Sequence, residues 1–307
     1  MVGVLAGFAV IAAVVAAGYL VGRLRLLGEH APFVLSRLVF FVLTPCLLFS
    51  LLAHADPLVL FSSRLAVSAL AAIICFALFT AVALLVFRRG AADTVIGALG
   101  SGYVNANNIG IPVAAYVLGD ATYSAPVVLV QLLVFAPIAL AILDAATSGH
   151  VSVGRVLVHT IRNPLIIASA LGTLIAVTGV ELPELIFEPF RLIGAAAVPV
   201  VLIGFGMSLS RSRILEAGSG RRDVILASTL KLLVMPLAAF LLARFVFGMT
   251  GHELFAIVVL AALPSAQNVF NYAERYDRGV VVARDTVLIT TVLCVPVLLV
   301  AALLLAQ

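Results

Sequence analysis

The feature that most constrains this chain is a regular succession of apolar stretches about 20 residues long, separated by short polar connections. The stretches lie at 2–22, 33–53, 64–87, 93–118, 123–144, 159–178, 186–210, 223–247, 253–276 and 279–305. Each is long enough to cross the hydrocarbon core of a bilayer as an α-helix. Hydrophobic residues make up 64% of the 307 positions and charged residues only 10%, which would leave a soluble domain without a polar surface. The sequence therefore predicts an all-α polytopic membrane protein with ten transmembrane helices.

Several classes of protein are disfavoured by the same composition. The first stretch has no basic leader region and no cleavage-type site, so we expect a true span rather than a signal peptide. Cys46, Cys75 and Cys294 lie inside apolar stretches without CxxC spacing, which predicts neither disulfides nor a metal site. The net charge of +4 comes from residues between the stretches, so it does not indicate a nucleic-acid partner. No catalytic or Walker A motif is present, and we predict neither an enzyme nor a bound cofactor.

The distribution of arginine predicts the orientation of the chain. Basic residues concentrate after odd-numbered stretches, with Arg88 and Arg89 after the third, Arg155 after the fifth, and Arg211 and Arg213 after the seventh. Basic connections face the cytoplasm by the positive-inside rule. The sequence therefore predicts a multi-pass protein of the cytoplasmic (inner) membrane, surrounded by lipid, with both termini outside the cytoplasm.

Five stretches in each half give the two halves opposite orientations in the membrane. We predict two inverted five-helix repeats, residues 1–150 and 151–307, within one membrane unit. Weak internal similarity agrees: an arginine precedes a proline by eight residues in both the second and the seventh stretch, and the fifth and tenth stretches share a proline. The prolines of the second and seventh stretches are predicted hinges. The matched residues are Arg37 and Pro45, Arg191 and Pro199, and Pro137 and Pro296.

Polar, proline-containing runs interrupt the fourth and ninth stretches, one in each half. Pro112 lacks an N–H group and Gly110 permits non-helical backbone, so we expect a helix break near 105–112. A break inside a bilayer is tolerated where it packs on protein or lines a wet cavity. The half-helix after each proline would present unpaired N–H groups and a partial positive charge, which suits a carboxylate. The predicted substrate-binding residues are Asn105, Asn107, Asn108, Gly110, Pro112, Pro264, Gln267, Asn268 and Asn271.

Three questions remain open at this stage. The broken segments either form a substrate site or merely kink helices and hydrogen-bond between them. Gln131 and Thr290 occupy corresponding places in the fifth and tenth stretches and either face the crossing point or join helices. Lys231 lies inside the eighth stretch, where it either serves function or extends to the cytoplasmic interface.

Four parts of the sequence together resemble the auxin efflux carrier family of permeases. They are the run 35–50, the segment from Asn105 to Pro112, the pair Asn163-Pro164, and the run 264–276. The resemblance covers almost the whole chain. It implies ten helices in two inverted repeats, a fold shared with bile acid sodium symporters, in which broken helices four and nine cross at the substrate site. It also assigns Asn105, Pro112, Pro264 and Asn268 to that crossing.

Members of this family move organic anions, auxin in plants and dicarboxylates such as malonate in bacteria. Residues 145–158 are too few for the long central loop of the plant carriers, so the chain resembles the bacterial branch. The resemblance implies a permease for a mono- or dicarboxylate that works by alternating access, with H⁺ or Na⁺ as a candidate coupling ion and a homodimer allowed by analogy. A sodium-coupled carrier of another solute and a non-transporting membrane sensor are the alternatives.

Overall fold

The computed structural model describes residues 2–28, 30–54, 63–148, 162–180, 182–210 and 220–305. Those residues are helical, with no β-strand among them, and Val104 and Ser265 form an isolated antiparallel bridge. The helices are α1 Val2–Arg23, α2 Ala31–Ala53, α3 Ser63–Leu85, α4 Ala91–Gly102, α5 Ile111–Tyr116, α6 Ala121–Thr147, α7 Pro164–Thr178, α8 Glu184–Met207, α9 Arg221–Val246, α10 Gly251–Ala261, α11 Gln267–Tyr276 and α12 Val280–Leu305.

The prediction of an all-helical polytopic membrane protein is confirmed. Six described helices (α2, α3, α6, α8, α9 and α12) are long and apolar enough to cross a membrane. α4 with α5, and α10 with α11, occupy the fourth and ninth predicted stretches. The predicted boundary at residues 150 and 151, the start of the sixth stretch at 159–161, and the connections with Arg155, Arg211 and Arg213 lie outside the described residues.

Prolines explain most of the irregularities inside the long helices. Four of the five π turns in the described part of the chain end two residues before a proline. The proline ring would clash with the carbonyl group four residues earlier, and a widened turn removes that clash. The four turns and their prolines are Val39–Leu43 with Pro45, Ala106–Gly110 with Pro112, Gln131–Phe135 with Pro137, and Leu230–Val234 with Pro236.

The two predicted hinge prolines coincide with local distortions. Pro45 follows a π turn in α2. In α8 the regular helix is interrupted at Ala196, because Pro199 has no N–H group to donate to Ala195. The distortions are present at the predicted positions; whether they act as hinges remains a prediction.

The helices pack in two groups. In the first group α1 packs along α8, while α7 and the first half of α8 pack on α2. The second group contains α3 to α6 and α9 to α12. Glycines allow the close contacts of the first group: a Cβ at Gly18 would lie 2.3 Å from the Ile203 carbonyl oxygen, and one at Gly206 would lie 2.1 Å from the Val15 carbonyl oxygen. The cavity described below lies between the two groups.

Candidate functional site

The breaks between α4 and α5 and between α10 and α11 cross each other and pair through their backbones. The Asn105 amide donates to the Pro264 carbonyl oxygen over 2.8 Å, and the Ala266 amide donates to the Tyr103 carbonyl oxygen over 2.9 Å. These bonds satisfy polar groups that the interrupted helices cannot pair internally. The two breaks therefore hold each other in extended form in the interior of the protein.

The first break lies earlier than the sequence indicated. α4 ends at Gly102, Tyr103 is extended and Val104 pairs with Ser265, so the expected break near 105–112 is displaced toward the N-terminus. Asn105 caps the following turn, because its side-chain oxygen accepts from the Asn108 amide over 3.2 Å. The widened turn Ala106–Gly110 follows this cap and accommodates Pro112, which comes two residues after it. The second half-helix thus begins at Asn105 rather than after Pro112.

Thr290 is a buried residue of α12 that hydrogen-bonds to the crossing. Its hydroxyl oxygen accepts from the Ser265 amide over 3.1 Å and donates to the Thr286 carbonyl oxygen over 2.7 Å. The Ser265 hydroxyl donates to the Gly100 carbonyl oxygen, and both Thr290 and Ser265 are fully buried. Thr290 therefore both faces the crossing and joins it to α12, and it does not line the cavity.

Lys231 lies at the second break and has no exposed surface. Its ammonium group donates to the Ala261 carbonyl oxygen over 2.7 Å and lies 3.2 Å from the Met235 sulfur atom. Ala261 is the last residue of α10, where helix carbonyl groups lack partners and the helix dipole is negative. The side chain forms no ion pair with a described carboxylate. Of the two alternatives for Lys231, extension to the membrane interface does not fit this burial, because the ammonium group bonds to the end of the broken helix instead.

A cavity of about 480 Å³ opens between the two helix groups, beside the crossing. Its volume is in the usual range for small-molecule sites. It is lined by seven of the predicted residues: Asn105, Asn107, Asn108, Gln131, Gln267, Asn268 and Asn271. Gly110, Pro112 and Pro264 are buried outside the lining and shape the backbone. Side-chain amide groups from both halves of the chain therefore line one cavity.

Two features of the cavity lining suit a polar ligand. The side-chain nitrogen (Nδ2) of Asn107 donates to the Asn108 side-chain oxygen over 3.0 Å, while the buried side-chain oxygen of Asn107 has no partner. α11 begins after Ala266 without a side-chain cap, and its first two residues, Gln267 and Asn268, line the cavity. A ligand at this wall would meet amide groups and a helix N-terminus with unpaired N–H groups.

Other lining residues were not predicted from the sequence. Tyr103 is buried and donates from its hydroxyl group to the Gln131 carbonyl oxygen over 3.4 Å. Arg37 and Glu274 supply the charged side chains of the lining. The signal for Arg37 was present, because an arginine within an apolar stretch recurs at the matched place in the other half. Among the described residues, no group of three or more His, Cys, Asp or Glu could hold a metal ion.

The fold defines a polytopic membrane protein, and comparison with known proteins assigns it to the transporter class. The family model described as membrane transport protein matches residues 4–302. The chain therefore belongs to this family, the auxin efflux carrier family that its motifs resemble. It is 25% identical over 269 residues, covering 85% of this chain and 84% of the relative, to the uncharacterized transporter YfdV of Escherichia coli strain K12. The YfdV proteins of Escherichia coli O157:H7 and Shigella flexneri match to the same extent.

Proposed function

We propose that this protein is a secondary transporter that carries a small organic anion, a mono- or dicarboxylate, across the cytoplasmic membrane. The observation that carries the proposal is the cavity of about 480 Å³ on which the two broken segments converge. The uncapped N-terminus of α11 and the side-chain amides offer N–H donors where a carboxylate would bind. Membership in a transporter family supports the assignment as a transporter. The N–H donors that line the cavity support an anion as the substrate.

The proposed architecture is ten transmembrane helices in two inverted repeats. Helices in each of the ten predicted stretches support it. The ion pairs at the helix ends support it as well: Arg64 at the start of α3 pairs with Glu253 at the start of α10, and Arg89 before α4 pairs with Asp223 at the start of α9. Two broken helices that cross near the middle of the bilayer are common in transporters built this way.

The proposed transport cycle is alternating access. The α1, α2, α7 and α8 group would rock against the group that holds the crossing, and the substrate would remain between them. The cavity extends from Asn105 toward Pro32 at the start of α2 and Glu274 near the end of α11. Both positions adjoin connections that the positive-inside rule assigns to the cytoplasm. We therefore assign the described conformation to the inward-facing state.

Uptake by the purified protein in proteoliposomes tests this function. Labelled malonate and a panel of monocarboxylates are supplied while sodium, proton and electrical gradients are imposed one at a time. Saturable uptake of one anion, accelerated by one gradient, is the expected result and identifies both substrate and coupling ion. Uptake of a neutral solute or a cation in place of every anion would contradict the proposal. Binding without uptake would favour the sensor alternative.

A further inference from the structure

Two arginines occupy matched positions in the second and seventh predicted stretches. Arg37 lies in α2 and Arg191 in α8, each eight residues before a proline. Each lines a cavity: Arg37 lines the cavity at the crossing, and Arg191 lines a second cavity of about 710 Å³ that also contains Glu188 and His54. The two arginines therefore show the same type of side chain in two different environments of one protein.

Arg191 is neutralised within its own helix. Its guanidinium group donates two hydrogen bonds of 2.6 Å to the two carboxylate oxygens of Glu188. Such a paired fork leaves little positive charge for a ligand. The second cavity therefore offers no free cation at the position of Arg191.

Arg37 forms no ion pair with a described carboxylate. Its guanidinium carbon lies 5.7 Å from the centre of the Phe33 ring and 5.1 Å from the centre of the Phe41 ring. Aromatic faces hold a guanidinium group through cation–π contact while its N–H donors at the edge remain available. Glu274 also lines this cavity but forms no ion pair with Arg37. Arg37 is thus oriented by apolar rings and keeps its charge.

The amides at the crossing carry no net charge, and Arg37 is the cationic side chain in the cavity lining. We propose that Arg37 binds the anionic group of the transported substrate and determines the preference of the cavity for anions. The inference rests on the proposed anion transport and assigns the substrate charge to one residue. The exposed guanidinium group of Arg37 attracts the anion from the cytoplasmic side, and the side-chain amides hold the anion beside the crossing.

The test compares Arg37→Gln, Arg37→Lys and Arg191→Gln in proteoliposomes, with the anion that the wild-type protein carries. Arg37→Gln removes the charge from an exposed side chain, so the variant should fold. Its KM should rise about tenfold or more, while its Vmax stays close to the wild-type value. Arg37→Lys should retain most of the affinity because it retains the charge. Arg191→Gln is the matched control and should leave KM unchanged. Added salt should raise KM for the wild-type protein more than for Arg37→Gln.

The outcomes separate this inference from the proposed function. If the wild-type protein carries an anion and Arg37→Gln keeps the wild-type KM, the assignment of Arg37 is wrong and anion transport stands. A fall in Vmax alone would also overturn it, because that result indicates a conformational role, such as pairing with Glu274 in another state. If the wild-type protein neither carries nor binds any anion of the panel, both proposals fail together.

Discussion

Asn105 and Pro264, from opposite halves of the chain, are joined by a backbone hydrogen bond of 2.8 Å. Each residue lies where a helix has stopped, so the bond pairs a donor and an acceptor that would otherwise be unsatisfied inside the membrane. The Asn105 side chain then caps the next turn through the Asn108 amide. One residue thus joins the two halves, starts the second half-helix and lines the cavity.

Replacing this asparagine should impair transport more than it impairs folding. Asn105→Ala removes the cap and one polar group from the cavity wall, and Asn268→Ala removes a polar group from the opposite half. We expect both variants to insert into the membrane and to lower uptake at least about tenfold, since loss of a cap costs only ~0.5–2 kcal/mol of stability. Initial rates of uptake, normalised to purified protein, provide the measurement.

A second asparagine cap in the same chain supplies the control. Asn163 caps α7 by accepting from the Leu165 amide over 2.9 Å, and it does not line the cavity at the crossing. Asn163→Ala should lower stability to a similar extent and leave uptake unchanged. Equal losses of uptake in Asn163→Ala and Asn105→Ala would show that the effect is destabilisation, and wild-type uptake in both Asn105→Ala and Asn268→Ala would refute the site.

Lys231 is the single lysine of the sequence, which makes its environment directly measurable. Lys231→Met removes the cation from the end of α10 while filling the same space. Without this donor the buried Ala261 carbonyl oxygen has no partner, which should cost about 1–3 kcal/mol of stability. We therefore expect a lower melting temperature together with reduced uptake, because the end of α10 loses the group that stabilises it at the crossing.

Amine-selective labelling of the wild-type protein tests the burial itself. Mass spectrometry should find Lys231 unmodified in the folded protein and modified after denaturation, since the side chain has no exposed surface. Rapid modification of the folded protein, or wild-type uptake by Lys231→Met, would contradict this account of the second break.

Two ion pairs at the helix ends should differ in their contribution to stability. The Arg89–Asp223 pair leaves 6% of the Asp223 side chain exposed, whereas the Arg64–Glu253 pair leaves 44% of the Glu253 side chain exposed. Arg89→Met therefore strands a buried carboxylate and should cost about 1–3 kcal/mol, and Arg64→Met should cost less because water solvates Glu253. The hydrogen bond with Asp223 raises the pKa of Arg89, so the contribution of this cation is lost only as the pH rises through that raised pKa.

Thermal unfolding with a thiol-reactive dye provides the measurement. Cys75 and Cys294 are buried and become reactive when the protein unfolds, and a Cys46→Ala background removes the partly exposed thiol. A lower melting temperature for Arg64→Met than for Arg89→Met would contradict the argument from burial.

The sequence predicted most of this fold because hydropathy and proline act locally. Apolar runs indicated the helices, and proline indicated the distortions near Pro45 and Pro199. It misplaced the first break because the cap at Asn105 depends on a side-chain hydrogen bond rather than on the proline. Burial of Lys231 could not be predicted, since it depends on which carbonyl group a distant helix brings to the ammonium.

The candidate site was predicted only in part for the same reason. Seven of the predicted polar residues line the cavity. Six of them lie within the two interrupted runs, and Gln131 lies in α6. Tyr103 and Glu274 also lie in or near those runs, but their types did not distinguish them from residues that pack. Arg37 comes from a helix that only the tertiary packing places against the crossing.

The orientation of the two halves can be tested at two matched positions. Gly90 precedes α4 and Thr250 precedes α10, the first parts of the two broken segments, and both residues are exposed. A Cβ at Gly90 would contact nothing within 4 Å, and the Thr250 side chain forms no capping bond, so a cysteine is tolerated at either place. Because the predicted repeats are inverted, these positions should lie on opposite sides of the membrane.

Labelling with a membrane-impermeant maleimide in the Cys46→Ala background distinguishes the arrangements. In intact cells with an accessible cytoplasmic membrane, Thr250→Cys should react at once, whereas Gly90→Cys should react only after permeabilisation, because Arg88 and Arg89 place its connection in the cytoplasm. The parent protein without either new cysteine controls for Cys75 and Cys294. Labelling of both positions from the same side would exclude the inverted repeat, and the reverse pattern would keep the repeat but invert the predicted orientation of the whole chain.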